Sequence, residues 1–189
     1  MSVAAHRREP AASKLALRRL VATDAFAYRA LMLEAYERHP DAFTSSVSER
    51  AALPLSFWES RLKEEKQPME LVVGAFQGGE LAGVAGLSFE SREKSRHKAK
   101  LFGMYVLPRF RQGGVGHQLV LATLAIAKGR EGVTLVQLTV THGNDAAQVL
   151  YGRCGFVPFG IEPFAVAVDG AFVSKVHMWC DLGVSGGSE

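Results

Sequence analysis

A chain of 189 residues, 48% of them hydrophobic and 22% charged, has the composition of one packed domain, and at this length about 70% of the extended surface is buried on folding. The formal net charge of +3, with both signs interspersed, is too mild to point to nucleic acid. No run approaches the length of a membrane span and no apolar signal core opens the chain, while Cys154 and Cys180 stand far apart with no histidine at metal-ligand spacing; a cytoplasmic protein without disulfide, metal or membrane contact is expected.

Residues 1–13 are Ala-rich, charged and aperiodic, and residues 183–189 are a loose polar end, so both are expected to be flexible tails around a single domain over 14–182. Leu15 to Val21 alternates loosely as a first strand. Thr23 or Asp24 can then cap a helix whose apolar face carries Phe26, Ala30, Leu31 and Leu33, with Glu34 the one charge on that face. Ala42 to Pro54 is polar and reads as a loop or short helical turn, and Ser56 to Lys66 as a second helix with Phe57, Trp58 and Leu62 on one side. Trp58 and Phe43 are expected in the core.

The sheet signal begins at Glu70. Glu70 to Phe76 and Leu81 to Phe89 are apolar runs joined by Gln77-Gly-Gly-Glu80, the turn chemistry of a hairpin. A charged connection from Ser91 to Lys100 contains His97 and reads as a solvated loop or strand end. Leu101 to Leu107 is then too short and apolar for anything but a buried strand, and Pro108 removes the donor needed to continue it.

The next segment is unusual: Arg109-Phe-Arg-Gln-Gly-Gly-Val-Gly116, basic and glycine-rich, and then Val115, Leu119, Val120 and Leu124 at helical spacing up to Gly129. Strand, glycine loop and helix together are expected to make an anion site, the alternative being an ordinary strand-to-helix turn, in which one glycine is common. The first helical turn has unpaired N–H groups and a partial positive charge, and Gly113, Gly114 and Gly116 let backbone approach a phosphate. Leu119 stands where a dinucleotide fingerprint needs its third glycine, and no G-K-[ST] comes after the loop, so neither of those phosphate motifs fits.

Thr134 to Val140 alternates as a strand, parallel to the Leu101 strand if the helix between them makes the usual right-handed crossover. Asn144 or Asp145 can cap a short helix with Ala147, Leu150 and Tyr151 on one face, and Gly155 sits where a left-handed terminator is wanted. Phe156 to Val168 and Phe172 to Cys180 are strands joined by Asp169-Gly170.

Two segments carry a family resemblance. Arg111-Gln112-Gly113-Gly114-Val115-Gly116 resembles the R-x-x-G-x-G acyl-CoA motif of the GNAT superfamily of N-acetyltransferases. Asn144, Ala147, Leu150, Tyr151, Gly155 and Phe156 are similar in spacing to the N-x-x-A-x-x-L-Y-x-x-x-G-F segment found later in many of its members. The similarity covers Leu15 to Leu182 and is densest from Lys98 to Gly160.

The resemblance implies an α+β fold: a mixed, mostly antiparallel sheet of six to seven strands with a splayed central parallel pair, flanked by about four helices. It implies acetyl-CoA as co-substrate, with no metal. The pyrophosphate would lie on the backbone of Gln112, Gly113, Gly114, Val115 and Gly116 with Arg111 nearby, the pantetheine arm along Met104, Tyr105 and Val106, and Asn144 and Tyr151 near the arm and sulfur. A backbone N–H at Tyr105 or Val106 would polarise the thioester carbonyl.

Tyr151, whose unperturbed phenol pKa is about 10, suits a general acid toward the departing thiolate, or a simple hydrogen bond to CoA. Glu90 at a strand end is the leading candidate base, with His97 and His177 as others, and an amine of lowered pKa needs none. The implied activity is acetylation of a small-molecule amine in a ternary complex. The alternatives are a protein N-terminus or lysine as acceptor, and a non-catalytic acyl-CoA-binding module. The family also admits a strand-mediated homodimer, which nothing in this sequence demands.

Overall fold

The computed structural model describes residues 14–183; the expected tails, Gly183 apart, lie outside the described residues. Seven strands, β1 (Ala16–Arg19), β2 (Glu70–Gln77), β3 (Glu80–Phe89), β4 (Lys98–Val106), β5 (Leu135–Thr141), β6 (Val157–Val168) and β7 (Ala171–Asp181), form one sheet in the order β1-β2-β3-β4-β5-β7-β6. Every neighbouring pair is antiparallel except β4 and β5. The helices are α1 (Ala25–Arg38), α2 (Val47–Ala51), α3 (Leu55–Ser60), α4 (Val115–Lys128) and α5 (Asp145–Arg153).

The central strands are apolar at successive positions because both sheet faces are covered. Leu71, Val73, Ala75 and Leu87 pack with Leu119 and Val120 of α4. The alternate residues Val72 and Val84, with Tyr105, face the opposite way, against Tyr28, Leu31 and Met32 of α1 and Trp58 of α3. Trp58 is 1% exposed, so it belongs to the core, edge-on to Tyr28 at 5.4 Å between centroids.

Two tight turns form as the sequence indicates. Gly78 and Gly79 link β2 to β3, and Asp169 and Gly170 link β6 to β7; all four have positive φ, as a two-residue hairpin turn of this hand requires. The helix α2 lies inside a stretch expected to be a loop or short helical turn. A capping box creates it: the Glu49 N–H donates to Ser46 Oγ at 3.2 Å, and the Ser46 N–H donates to Glu49 Oε2 at 2.7 Å.

Two irregularities in β4 shape the centre of the sheet. The register with β3 moves from Val84↔Tyr105 to Gly86↔Phe102, so Gly103 and Met104 together face Ala85. Gly103 has φ +57°, and this bulge bends the strand. On its other side β4 pairs with β5 only at Lys98↔Leu135, Ala99↔Val136 and Lys100↔Gln137. Beyond Lys100 the two parallel strands part, and their carboxyl ends bound a gap.

Candidate active site

The gap is a cavity of about 390 Å³. Lys100 to Met104 of β4 form one wall and Thr139 to Thr141 of β5 another, with the cap residue Asn144 and Ala147 and Tyr151 of α5 alongside. Ligand clefts at the carboxyl ends of parallel strands are a general property of such sheets, and here the splay creates the space directly.

Tyr151 is buried, and its hydroxyl donates to Met104 Sδ at 3.3 Å. Burial pushes its phenol well above the usual tyrosine pKa, with a smaller contribution from Cys154 nearby. The proton therefore stays on the phenol through the physiological range. Asn144 caps α5, its Oδ1 accepting from the Ala147 N–H at 3.1 Å, which fixes the direction from which α5 approaches the gap.

At the end of β4 the chain makes one 3₁₀ turn at Pro108–Phe110 and enters α4. Gly114 occupies the position before the helix with φ +77°, and Gln112, not a second glycine, holds the other positive φ of the loop at +68°. Gly116 serves close approach: a Cβ there would lie 3.0 Å from Met104 Cε and 3.2 Å from Leu150 Cδ2. The first turn of α4 thus sits directly against the residue that touches Tyr151. Arg111 folds back onto β4, its Nε donating to Val106 O at 2.9 Å and its guanidinium lying 5.4 Å from the centre of the Tyr105 ring. Met104 lines the cavity, whereas Tyr105 and Val106 continue β4 beyond the lining toward the glycine loop.

Glu90 and His97 stand elsewhere. Because β3 runs antiparallel to β4, the residue after β3 lies at the beginning of β4, and the Glu90 N–H donates to Lys98 O at 3.3 Å. Glu90 lines a second cavity with Arg19, Arg130 and Val133, at the amino ends of the parallel pair. The His97 carbonyl accepts from Thr134 N at 2.9 Å at that same end. His177 is the candidate base that does line the cavity holding Tyr151, with its Nε2 3.0 Å from Glu162 Oε2, and Glu162 lines it too.

Three further residues of this cavity carry no motif. Lys175 is 5% exposed, and Arg50 and Arg61 are half-buried. The Lys175 ammonium donates to Asp41 O at 2.7 Å, Ala42 O at 3.0 Å and Thr141 Oγ1 at 3.0 Å, tying the loop after α1 to β5 and β7. Burial lowers its pKa. One signal for Lys175 was present: it alternates with His177 along β7, so the two share a face. Nothing local distinguishes Arg50 or Arg61 from ordinary surface arginines.

Among the described residues no group of histidine, cysteine, aspartate and glutamate is arranged to hold a metal, and no helix is long and apolar enough to cross a membrane. The acetyl-CoA expectation meets a consistent test in the glycine loop. Gly114 has open space where a Cβ would stand and Gly116 has none to spare, so the backbone is exposed at one position and pressed against the cavity wall at the next but one.

A sequence model of the acetyltransferase (GNAT) family matches residues 29–156. The N-alpha-acetyltransferase RimI of Mycobacterium tuberculosis is 35% identical over 109 residues, a stretch that spans 58% of this chain and 66% of that relative. The solved acetyltransferase of the GNAT family from Streptococcus pneumoniae has a TM-score of 0.81 at 24% identity, covering 90% of this chain and 100% of its own. The ribosomal-protein-alanine N-acetyltransferase of Brucella melitensis gives 0.72 at 23% identity, covering 88% and 99%. The protein yncA of Salmonella typhimurium, solved with its cofactor acetyl-CoA, gives 0.75 at 19% identity, covering 94% and 99%.

Proposed function

The chain belongs to the acetyltransferase (GNAT) family, and on that premise we propose that it transfers the acetyl group of acetyl-CoA to the primary amine of a small molecule within a ternary complex. The observation that carries the reading is the cavity between the parted ends of β4 and β5, with Tyr151 in its wall and the first turn of α4 against it.

The pyrophosphate binds at the backbone of Gln112 to Gly116, where the helix N-terminus and the positive-φ residues offer N–H groups to an anion. The pantetheine arm runs along Met104 to Val106, and Asn144 and Tyr151 border the thioester in the gap. Holding thioester and amine together supplies much of the rate, since orientation replaces a bimolecular encounter.

The amine nitrogen attacks the carbonyl carbon, a backbone N–H of bulged β4 stabilises the oxyanion, and the carbon–sulfur bond breaks as the amide forms. Tyr151 gives its proton to the departing thiolate. His177, paired with Glu162, accepts the proton shed by the amine. That assignment replaces Glu90, which lines the other cavity.

A protein N-terminus is the second reading, favoured by the 35% identity to an N-alpha-acetyltransferase. Release of free CoA thiol from acetyl-CoA, measured over amines, amino acids, polyamines and N-terminal peptides, separates the two. Turnover confined to small amines supports the first reading, and turnover confined to peptides replaces it with the second. Acetyl-CoA binding without turnover of any acceptor would leave the non-catalytic module.

A further inference from the structure

The cavity is cationic on the side away from α4. Arg50, Arg61, Lys100 and Lys175 line it, and Glu162 is the one carboxylate among the described lining residues. Two of these cations are already engaged. Arg61 is paired with Glu70, its Nε donating at 2.7 Å and its Nη2 lying 2.6 Å from the same oxygen. Lys175 places its three ammonium protons on Asp41 O, Ala42 O and Thr141 Oγ1. Glu162 is held by His177.

Arg50 is different. Its guanidinium carbon lies 5.4 Å from the centre of the Phe57 ring and 5.9 Å from that of Tyr36, within cation–π reach of both. Arg61 lies 5.6 Å from the same Phe57 ring. Among the described residues one arginine of the pair has its carboxylate and the other has none. Among the described residues the Arg50 Nε has no hydrogen-bond partner, and it is shielded from solvent, so the guanidinium can meet a ligand only through Nη1 and Nη2. Its sequence neighbour Glu49 does not supply one, because that carboxylate is committed to the Ser46 N–H and hydroxyl in the capping box.

We infer that the acceptor amine also bears a carboxylate, and that Arg50 is the residue that binds it. The inference rests on the acetyl transfer proposed above and names the acceptor class for that same cavity. A guanidinium packed beside two rings has less freedom to lose on forming two parallel N–H···O bonds, the geometry in which arginine prefers a carboxylate. A polyamine would bring further cations into a space already lined by four. An amino acid brings one anion and one amine, and the surrounding positive charge favours the uncharged, nucleophilic form of that amine.

The experiment compares matched pairs: β-alanine, 4-aminobutyrate, 6-aminohexanoate and a set of L-amino acids, each beside its carboxamide. Acetyl-CoA turnover is measured with wild type, Arg50→Gln and Arg50→Lys, and acetyl-CoA affinity serves as the check on folding. Wild type is expected to prefer at least one acid over its amide by about tenfold in kcat/KM, chiefly through KM, the size of a charge-assisted hydrogen bond. Arg50→Gln should erase that preference, bringing acid and amide to the same kcat/KM, with acetyl-CoA affinity retained, and Arg50→Lys should keep part of the preference. Amides accepted as well as acids, or a preference indifferent to Arg50→Gln, would overturn the inference and leave acetyl transfer standing. Should no pair turn over, the same pairs are read by thermal protection of the protein–CoA complex. Protection by an acid but not its amide, lost in Arg50→Gln, supports the inference, and equal or absent protection overturns it.

Discussion

The hydroxyl of Tyr151 donates to Met104 Sδ at 3.3 Å, joining α5 to β4 across the gap left where β4 parts from β5. A thioether is a weak acceptor, so this bond orients the phenol without strongly committing its proton. The same methionine lies against Gly116 at the start of α4. The glycine loop, the bulged strand and the phenol are therefore coupled through one flexible side chain.

Tyr151→Phe keeps the ring packed against Phe156, 5.8 Å away between centroids, and removes only the proton and its bond. We expect kcat to fall about 100-fold, the lower end of what a positioned acid contributes, with acetyl-CoA affinity within about twofold of wild type. Steady-state thiol release and calorimetry check the two halves; unchanged kcat would reduce the hydroxyl to a structural role.

Burial holds the Tyr151 phenol above its ordinary pKa, so the acid form survives to higher pH than a free tyrosine would. The rate should rise with pH as the acceptor amine loses its proton and show no alkaline decline below about pH 10. A pH profile of kcat at saturating substrates tests this. A decline well below that pH that disappears in Tyr151→Phe would contradict the raised pKa, and one that persists in Tyr151→Phe would belong to another group.

Lys175→Met leaves Ala42 O, in the loop after α1, without its ammonium donor, whereas Asp41 O keeps the Thr141 hydroxyl at 3.0 Å. We expect a stability loss of about 1–2 kcal/mol, partly offset because a buried charge is no longer desolvated. Loosening that loop should raise KM for the acceptor and leave acetyl-CoA binding unaltered. Urea unfolding and separate KM values for the two substrates measure it.

Asp24 accepts from Arg18 Nη1 at 2.7 Å and Nη2 at 2.8 Å, and from the Val21 N–H at 2.9 Å. The Arg18 guanidinium holds its carboxyl below the usual carboxylate range. Because the folded-state pKa is depressed, the stabilisation is present above the unfolded-state pKa of about 4 and is lost as pH falls through the folded value. Asp24→Asn should cost about 1 kcal/mol at pH 7, since Arg18 is half exposed to solvent, and progressively less as pH is lowered below 4. Urea midpoints across that range give the answer.

Local chemistry was legible where short-range rules decide the outcome. Pro108 ends β4, Gly114 takes a left-handed φ, Asn144 caps α5 and Gly155 comes after that helix at φ +91°. Glu90 shows the limit of a strand-end argument: the end of β3 is the beginning of β4, so antiparallel pairing carries the residue away from the carboxyl ends where the gap forms. The polar stretch from Ala42 to Pro54 left loop and short helical turn open, and the capping box of Ser46 and Glu49 is what turns part of it into α2. Arg50 and Lys175 gain their meaning only from tertiary neighbours, Phe57 and Tyr36 for one and the carbonyls of Asp41 and Ala42 for the other, and no periodicity encodes those.

The most direct test of acetyl-CoA use is calorimetric titration of acetyl-CoA into wild type and Gly114→Glu. Residue 114 has φ +77° and open space around it, so the glutamate would strain the loop and set a negative charge where we propose that the pyrophosphate binds. One site of micromolar affinity in wild type, abolished in the variant, is the predicted result. No binding to wild type, or equal binding to both, would contradict the account.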